Sequence, residues 1–364
     1  MKLKYPPVKK FLRNLYRLVN GIQVLISSKK QSKKINVYYG GSLKGNVGGG
    51  LVKIKRLSEY FPNNTKEFNV VYLLSNSQYL PKYGINLIKK RGIPIIHNQN
   101  GVFYPGWYDG DWRKENKRMA FSHANADYVF YQSIFSKRSA EKYLGTRNGS
   151  SEILYNAVDL QHFLPKKNKK TGKQVRFLMT GKFYSHVFYK IDSALRGIKH
   201  ALTLGLNCEL IIAGWMDDLS KQKAHKLISE LGIPESVEIL GRYRQEDAPQ
   251  IYNSSDIYIT TSHNDPCPNA VIEALACGLP VIHTSTGGTP ELVGSEAGIK
   301  IITRENWNYN EVPDAIELGQ SMVRIVDQIE DKKINARYRA EEKFDIFNWV
   351  DKHRMVFESF LGKN

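Results

Sequence analysis

The stretch DPCPNAVIEALACGLPVIHTSTGGTPE, from Asp265 to Glu291, decides the fold. A proline-rich loop enters an apolar helix near Asn269, and the helix stops at Cys277-Gly278. Pro280-Val281-Ile282 then reads as a buried strand and Gly287-Gly288 as the turn that closes the unit. Asp265 and Glu273 stand eight positions apart, on either side of the helix start. The first N–H groups of a helix have no intrahelical acceptor and can hold a phosphate. Here those groups belong to Asn269, Ala270 and Val271, and Pro268 suits the helix entry because it has no N–H to leave unpaired. Carboxylates beside them can accept hydrogen bonds from sugar hydroxyls. The unit suits an anionic ligand that also carries a sugar.

Strands and helices alternate outward from this unit in both directions. Upstream of it, strands are expected at Val175–Met179, Glu209–Ala213, Val237–Leu240 and Ile257–Thr260, with helices at Ile191–Leu204, Gln222–Leu231 and Ala248–Asn253. Downstream, helices are expected at Ala315–Asp331 and Trp349–Leu361. The polar run 166–173 reads as a linker. A first alternating set precedes it, with strands at Ile35–Tyr39, Asn69–Leu74, Ile93–His97, Tyr128–Tyr131 and Ser151–Leu154. Helices fall between them, at Leu51–Tyr60, Tyr83–Lys90, Arg113–Ala124 and Ser136–Tyr143. Such alternation implies an α/β protein with parallel sheets covered by helices. The expected organisation is an N-terminal extension (1–34), a Rossmann-like domain (35–165), a second Rossmann-like domain (166–342) and a final helical segment (343–364) that crosses back to the first. In doubly wound sheets ligands bind beyond the carboxyl ends of the strands, so the cleft between two such halves is the expected site.

The Asp265–Glu291 stretch resembles the signature of the retaining glycosyltransferases of family 4, which have the GT-B fold. That signature has two acids separated by seven residues, an alanine-rich helix, a Gly-Pro-Val strand and a Gly-Gly-x-Pro-Glu turn. Here the first acid is Asp265 in place of the usual Glu, one methylene shorter. The resemblance extends over about residues 35–361, through Ala126-Asp127, Ser133 to Lys137, Tyr155-Asn156-Ala157-Val158-Asp159 and Phe163-Leu164-Pro165. It implies a metal-independent transferase that moves a hexosyl group from a nucleotide sugar, UDP- or GDP-linked, to a glycan or lipid-linked acceptor with retention of configuration. No separate cofactor is implied. Glu273 would bind the donor ribose and Asp265 would face the donor sugar. Lys182, in the position of the family's Arg, and Lys190 would stabilise the diphosphate as it gains charge. The glycine-rich loop Gly40–Gly50, with Gly48 and Gly49, resembles the acceptor-domain loop that approaches the donor. Arg242, in Gly241-Arg242-Tyr243, lies in a loop of the kind that contacts the base. Asn100 occupies the place of a family His; it can hydrogen-bond a hydroxyl but cannot transfer a proton at neutral pH. A non-catalytic nucleotide-sugar or glycan-binding protein and a sugar-nucleotide epimerase are the alternatives. The aromatics Phe103, Tyr104, Trp107 and Tyr108 read equally as a sugar-stacking wall or as loop packing.

Composition bounds the rest. The 364 residues carry a net charge of +18, and residues 1–34 hold ten Lys and Arg with no acid. The charge belongs to an attached basic segment more than to the body, which argues against a nucleic-acid partner. Within that segment Val8, Phe11, Leu12, Leu15, Leu18, Val19, Ile22 and Ile26 share one side of a helix, with Lys9, Lys10, Arg13 and Arg17 opposite. Such a helix can lie on an anionic membrane surface, or pack on the body with its basic face in water; a transit peptide shares the pattern. No apolar run is long enough to span a bilayer. Three cysteines make no disulfide framework, which points to a reducing, cytoplasmic setting; the basic helix adds the expectation of a peripheral position at the inner face of a membrane. Asp109-Gly110-Asp111 matches an Asp-x-Asp metal motif, and His263, Cys267, Cys277 and His283 match zinc ligand types. The first is expected to be a turn, and the second quartet straddles the proposed donor pocket, so no metal is expected.

Overall fold

The computed structural model describes residues 7–45, 49–166, 172 and 174–362. They group into two compact units, one holding the chain up to Asn156 together with Phe347 onward, the other Ala157–Ile346. Most of the run 166–173 lies outside the described residues.

The first unit contains α1 (Pro7–Ile26), β1 (Ser28–Lys29), β2 (Val37–Tyr38), α2 (Gly49–Tyr60), β3 (Glu67–Phe68), β4 (Val70–Leu74), α3 (Lys82–Lys90), β5 (Ile95–Gln99), α4 (Trp112–Ala124), β6 (Tyr128–Tyr131), α5 (Ile134–Leu144) and β7 (Ser150–Ile153). Its main sheet is parallel throughout, in the order β2-β4-β5-β6-β7, and β1 pairs separately with β3. The second unit contains β8 (Val175–Phe183), α6 (Tyr189–Thr203), β9 (Cys208–Met216), α7 (Asp218–Leu231), β10 (Val237–Gly241), α8 (Ala248–Asn253), β11 (Ile257–Thr260), α9 (Asn269–Ala276), β12 (Val281–Thr284), α10 (Thr289–Val293), β13 (Gly298–Ile301), α11 (Ala315–Val326) and α12 (Ile329–Lys343). Its six parallel strands run β10-β9-β8-β11-β12-β13. The last helix, α13 (Ile346–Leu361), enters the first unit after its first residue.

Side chains alternate across β4 as a strand buried on both faces requires. Val71 and Leu73 join Val24, Ile85, Ile88, Ile95 and Ala140 in one apolar core. Tyr72 points to the opposite face, where its hydroxyl lies 3.0 Å from His353 Nε2 of α13. In the second unit Phe177, Met179, Ile191, Leu195, Ile198, Leu318 and Met322 form the core between β8, α6 and α11. The helices α6 and α11 cross closely because Gly197 and Gly319 face each other: a Cβ at Gly319 would sit 2.8 Å from Gly197 O.

Several boundaries differ from the sequence expectation. β8 runs through to Phe183, so Thr180-Gly181-Lys182 belongs to the strand and does not follow it. Its pairing with β9 continues through Lys182–Trp215 to Phe183–Met216, which holds the backbone extended. The expected helix Ala315–Asp331 is two helices, α11 and α12, broken at Asp327-Gln328. The N-terminal helix departs most. Its apolar stripe faces outward: Phe11, Leu15, Leu18, Val19, Ile22 and Ile26 are exposed. Arg13, Tyr16, Arg17 and Asn20 turn toward the body. Packing with a basic face in water is thereby corrected for Arg13 and Arg17, because hydrogen bonds to the body hold this helix in place. Lys2 and Lys4 lie outside the described residues. Among the described residues no helix is long and apolar enough to cross a membrane.

His97, His123 and His353 are buried within the first unit, and burial holds their pKa values at about 3, 4 and 3. An unfolded histidine titrates near 6.5. Each folded value is depressed, so the stability these groups support is complete above about pH 6.5 and is lost as pH falls toward the folded values. At pH 5 the loss is about 2 kcal/mol per histidine. Urea unfolding should therefore show a lower midpoint at pH 5 than at pH 7, and His353→Gln should flatten that dependence. An unchanged pH slope in the variant would refute the assignment.

Candidate active site

The strand order of the second sheet reverses between β8 and β11. The chain leaves β8 toward one side and β11 toward the other, so a crevice opens between their carboxyl ends. Two segments border it, the entry to α6 and the loop 261–268. They are tied together: Thr261 Oγ1 donates to the Lys190 carbonyl at 3.0 Å, and His263 N–H donates to the Tyr189 hydroxyl at 3.1 Å. Lys190 on the first segment and Asp265 on the second are both half-buried. Burial lowers the pKa of Lys190 while Asp265 raises it; burial raises the pKa of Asp265 while Lys190 lowers it. Each therefore supports the charged form of the other in a site that disfavours charge.

Asp265 is fixed through its backbone. Gly288 N–H donates to its carbonyl at 2.8 Å, and its own Oδ1 accepts from Cys267 N–H at 3.2 Å. Gly287, at φ +78°, lies so close that a Cβ there would stand 2.5 Å from Asp265 O and 2.8 Å from Asp265 N. The Gly-Gly turn thus clamps the acidic loop from below, and only glycine satisfies both the backbone angle and the approach. Asn264, next to the clamp, takes φ 52°, an uncommon conformation for a residue with a side chain.

Glu273 lies in α9 and is 9% exposed. Tyr252 OH donates to Oε2 at 3.0 Å and Gln245 Nε2 donates to Oε1 at 3.3 Å. The Tyr252 hydroxyl is also 3.2 Å from Thr180 Oγ1, which lies 3.1 Å from Tyr258 OH. Burial first, and then the Glu273 charge, push the Tyr252 pKa upward, so the phenol stays a donor. This chain of hydroxyls sets the carboxylate's orientation. At the start of α9 the Val271 N–H donates to the Pro268 carbonyl at 3.1 Å and its side chain is fully buried. Ala270 N–H has no acceptor among the described residues.

Lys182 is exposed near the end of β8, paired in register with Trp215 of β9. The Arg242 guanidinium stands 5.5 Å over the Trp215 ring, whose other neighbour is Tyr184 at 4.7 Å. Lys182, Arg242, Trp215 and Tyr184 thus gather at the carboxyl ends of β8, β9 and β10, with Lys190 and Asp265 on the same edge of the sheet.

Asn100 belongs to the first unit, beyond β5. Its Oδ1 accepts from Lys53 Nζ at 3.1 Å, its Nδ2 donates to Asn76 Oδ1 at 2.9 Å, and its N–H donates to Ser75 Oγ at 2.9 Å. Lys53 is buried and also reaches Asn98 Oδ1 at 2.7 Å. Gly48 lies outside the described residues. Gly49 begins α2 with open space around its Cβ position, whereas among the described residues of this loop the positive φ angles belong to Gly40 and Gly41. Asp111 of the Asp-x-Asp motif caps α4 by accepting from Lys114 N–H at 3.0 Å. His97 is a core residue hydrogen-bonded to Gln99. Phe103, Tyr104 and Tyr108 are buried, with Phe103 and Tyr108 rings 4.9 Å apart, so loop packing accounts for them.

The second unit also matches a known family: residues 161–318 fit the model of the glycosyl transferases group 1. Over this stretch the chain is similar to a group 1 glycosyltransferase domain. The phosphatidylinositol N-acetylglucosaminyltransferase gpi3 subunit of Schizosaccharomyces pombe is 21% identical over 276 residues, covering 75% of this chain and 57% of that protein. The chain spans between about half and two thirds of the length of those curated relatives that it matches over most of its own length. A glycosyltransferase of Rickettsia africae superposes with a TM-score of 0.67 at 15% identity, covering 95% of each chain. Anabaena HepE in complex with UDP-glucose superposes with a TM-score of 0.60 at 16% identity, covering 87% of this chain and 85% of that one. The fold is GT-B.

Within the matched stretch the sequence singled out Asp265, Glu273, Lys182 and Lys190 but passed over Thr180, Gln245, Tyr252 and Trp215. Tyr252 has the spacing of a core residue, and only its hydroxyl partner distinguishes it. The clamp gives a direct test. Gly287→Ala should cost about 2 to 4 kcal/mol of stability, whereas Gly49→Ala, with open space, should be near neutral. Similar unfolding midpoints for the two variants would refute the clamp.

Proposed function

We propose that the protein is a retaining, nucleotide-sugar-dependent hexosyltransferase of family 4, working without an essential metal. The observation that carries this is the placement of Lys190, Asp265, Glu273 and the start of α9 around one crevice at the strand-order reversal. UDP is the favoured donor nucleotide, since HepE, a fold neighbour, binds UDP-glucose. In this proposal Glu273, oriented by Tyr252 and Gln245, accepts from the ribose hydroxyls, and Arg242 lies toward the base. The N–H groups of the Asn269–Val271 turn and the two lysines, Lys182 and Lys190, hold the diphosphate. Asp265 accepts from a donor sugar hydroxyl; the glycine clamp fixes the backbone from which its shorter side chain projects. As the C1–O bond breaks, the diphosphate takes the bonding electrons and Lys190 stabilises the added charge. The leaving phosphate oxygen takes the acceptor proton while the new bond forms on the same face. Asn100 hydrogen-bonds a sugar hydroxyl, the glycine loop with Gly48 and Gly49 serves the donor, and the acceptor, a glycan or lipid-linked molecule, binds the first unit.

The outward apolar stripe of α1 motivates a second part of the proposal: a peripheral position on an anionic membrane, on its cytoplasmic side. A contiguous exposed apolar face on a helix is the signature of an interfacial position.

A thermal-shift screen of UDP, GDP and ADP tests the donor reading. A nucleotide at about 100 times its Kd adds about 2.7 kcal/mol to the folded state, and Glu273→Ala should abolish the shift. Absence of any shift would favour a non-catalytic protein, and a nucleotide sugar converted without an acceptor would favour an epimerase. Lys190→Ala should lower kcat about 100-fold, and NMR of the product should show the donor's anomeric configuration; an inverted product would overturn the mechanism. For the membrane, flotation with vesicles containing phosphatidylglycerol should recover the wild type but not Phe11→Ser/Leu15→Ser/Leu18→Ser. These residues are exposed, so the fold should survive, and equal recovery would defeat the proposal.

A further inference from the structure

The inward face of α1 builds something that hydrogen bonding of a helix to the body does not require. Arg13 and Arg17 of α1 and Arg118 of α4 converge on a single carboxylate, Glu115. Arg13 Nη2 lies 2.8 and 3.1 Å from its two oxygens and Arg118 Nη1 lies 3.2 Å from Oε1. Arg17 uses its Nε on the Gln78 carbonyl at 2.6 Å. Among the described residues, three guanidinium groups face one carboxylate in a pocket of about 320 Å³. Arg17 feels the crowding: burial first, and then Arg118 and Arg13, lower its pKa to about 10. Packing alone would not favour this arrangement, because like charges held together in a partly buried site repel.

The pocket's position is informative. Its wall includes Ser75 and Asn76, which follow β4, and these two residues hold Asn100. It therefore lies at the carboxyl edge of the first sheet, where parallel sheets bind ligands, on the unit assigned to the acceptor. Leu12 lines the pocket and also belongs to the outward apolar stripe, so the pocket opens beside that stripe. Tyr16 and Tyr79 stack edge to face on its wall, 5.0 Å between centroids.

We propose that this pocket binds a phosphoryl group of the acceptor, held by Arg13, Arg17 and Arg118. The acceptor is then a phosphate or diphosphate ester, and α1 is part of the acceptor site. Planar guanidinium groups suit phosphate oxygens, which accept two parallel hydrogen bonds from each fork. This inference rests on the glycosyltransferase reading and narrows its acceptor class.

Titration calorimetry with inorganic pyrophosphate tests it. All proteins carry Lys190→Ala, which weakens the phosphate contacts of the second unit. The parent protein should bind saturably. Arg17→Gln and Arg118→Gln should each weaken binding about tenfold or more. Glu115→Gln, which removes the competing carboxylate, should tighten binding, an effect that a misfolded variant cannot produce. No saturable binding by the parent, or equal affinity in Arg17→Gln, would overturn the inference. Competition by vesicles containing phosphatidic acid would identify a lipid phosphate as the source; pyrophosphate binding without such competition would identify a soluble phosphorylated acceptor. Nucleotide binding through Glu273 is measured in parallel on the protein with Lys190 intact. If it persists while pyrophosphate binding fails, this inference alone falls; if it fails, the reading beneath it falls too.

Discussion

Parallel strands cannot be joined by a tight turn, and much of this protein follows from that constraint. Each strand hands the chain to a crossover that returns it to the opposite end of the sheet, so every loop that follows a strand emerges on one edge. In the second unit the order of strands reverses once, and the loops after β8 and β11 separate there. Lys190 is far in sequence from Asp265, the start of α9 and the Gly287-Gly288 turn, and they meet because β8, β11 and β12, neighbours in the sheet, all end on that edge. The side chains supply the chemistry, while the topology supplies their convergence.

The second unit was more legible than the first. Its key stretch combines a helix start, a helix stop and a glycine pair at fixed spacing, each of which acts through local backbone physics. Local signals of this kind survive in a sequence. The support for Glu273 does not, because Tyr252, Thr180 and Gln245 meet it only after three separate elements have packed. Boundaries failed for a related reason. Val175–Met179 is apolar enough to name a strand, yet the strand continues to Phe183 because its neighbour β9 goes on pairing with it, through Gly181 and Lys182. The break between α11 and α12 at Asp327-Gln328 carries neither proline nor glycine, so nothing local announces it.

The N-terminal helix shows how a correct periodicity can support the wrong orientation. Its two faces were plain in the sequence, and a helix that packs on a soluble body normally buries the apolar one. Here the polar face makes the contacts: Tyr16 OH to the Gly41 carbonyl at 2.7 Å, Gln23 Nε2 to the Thr65 carbonyl at 2.8 Å and Arg91 Nη1 to the Val24 carbonyl at 2.8 Å. Val24, fully buried, is an apolar anchor on that side. Hydrogen bonds to backbone carbonyls are specific in geometry and modest in energy, so this helix is positioned with its apolar side left over.

The return of α13 to the first unit has a consequence for biosynthesis. Tyr72 and Phe61, on or beside the first sheet, meet His353 and Phe357 of α13, and Phe130 lies 4.6 Å from the His353 ring. A ribosome that has released the whole first sheet has not yet made the helix that covers it. Nearly two hundred further residues must emerge first, and these include a second unit whose sequence is continuous. Folding during translation therefore runs out of order: the later unit is the first to have all its parts. The earlier unit waits with an apolar sheet face open, which is the period in which a nascent chain most needs a chaperone.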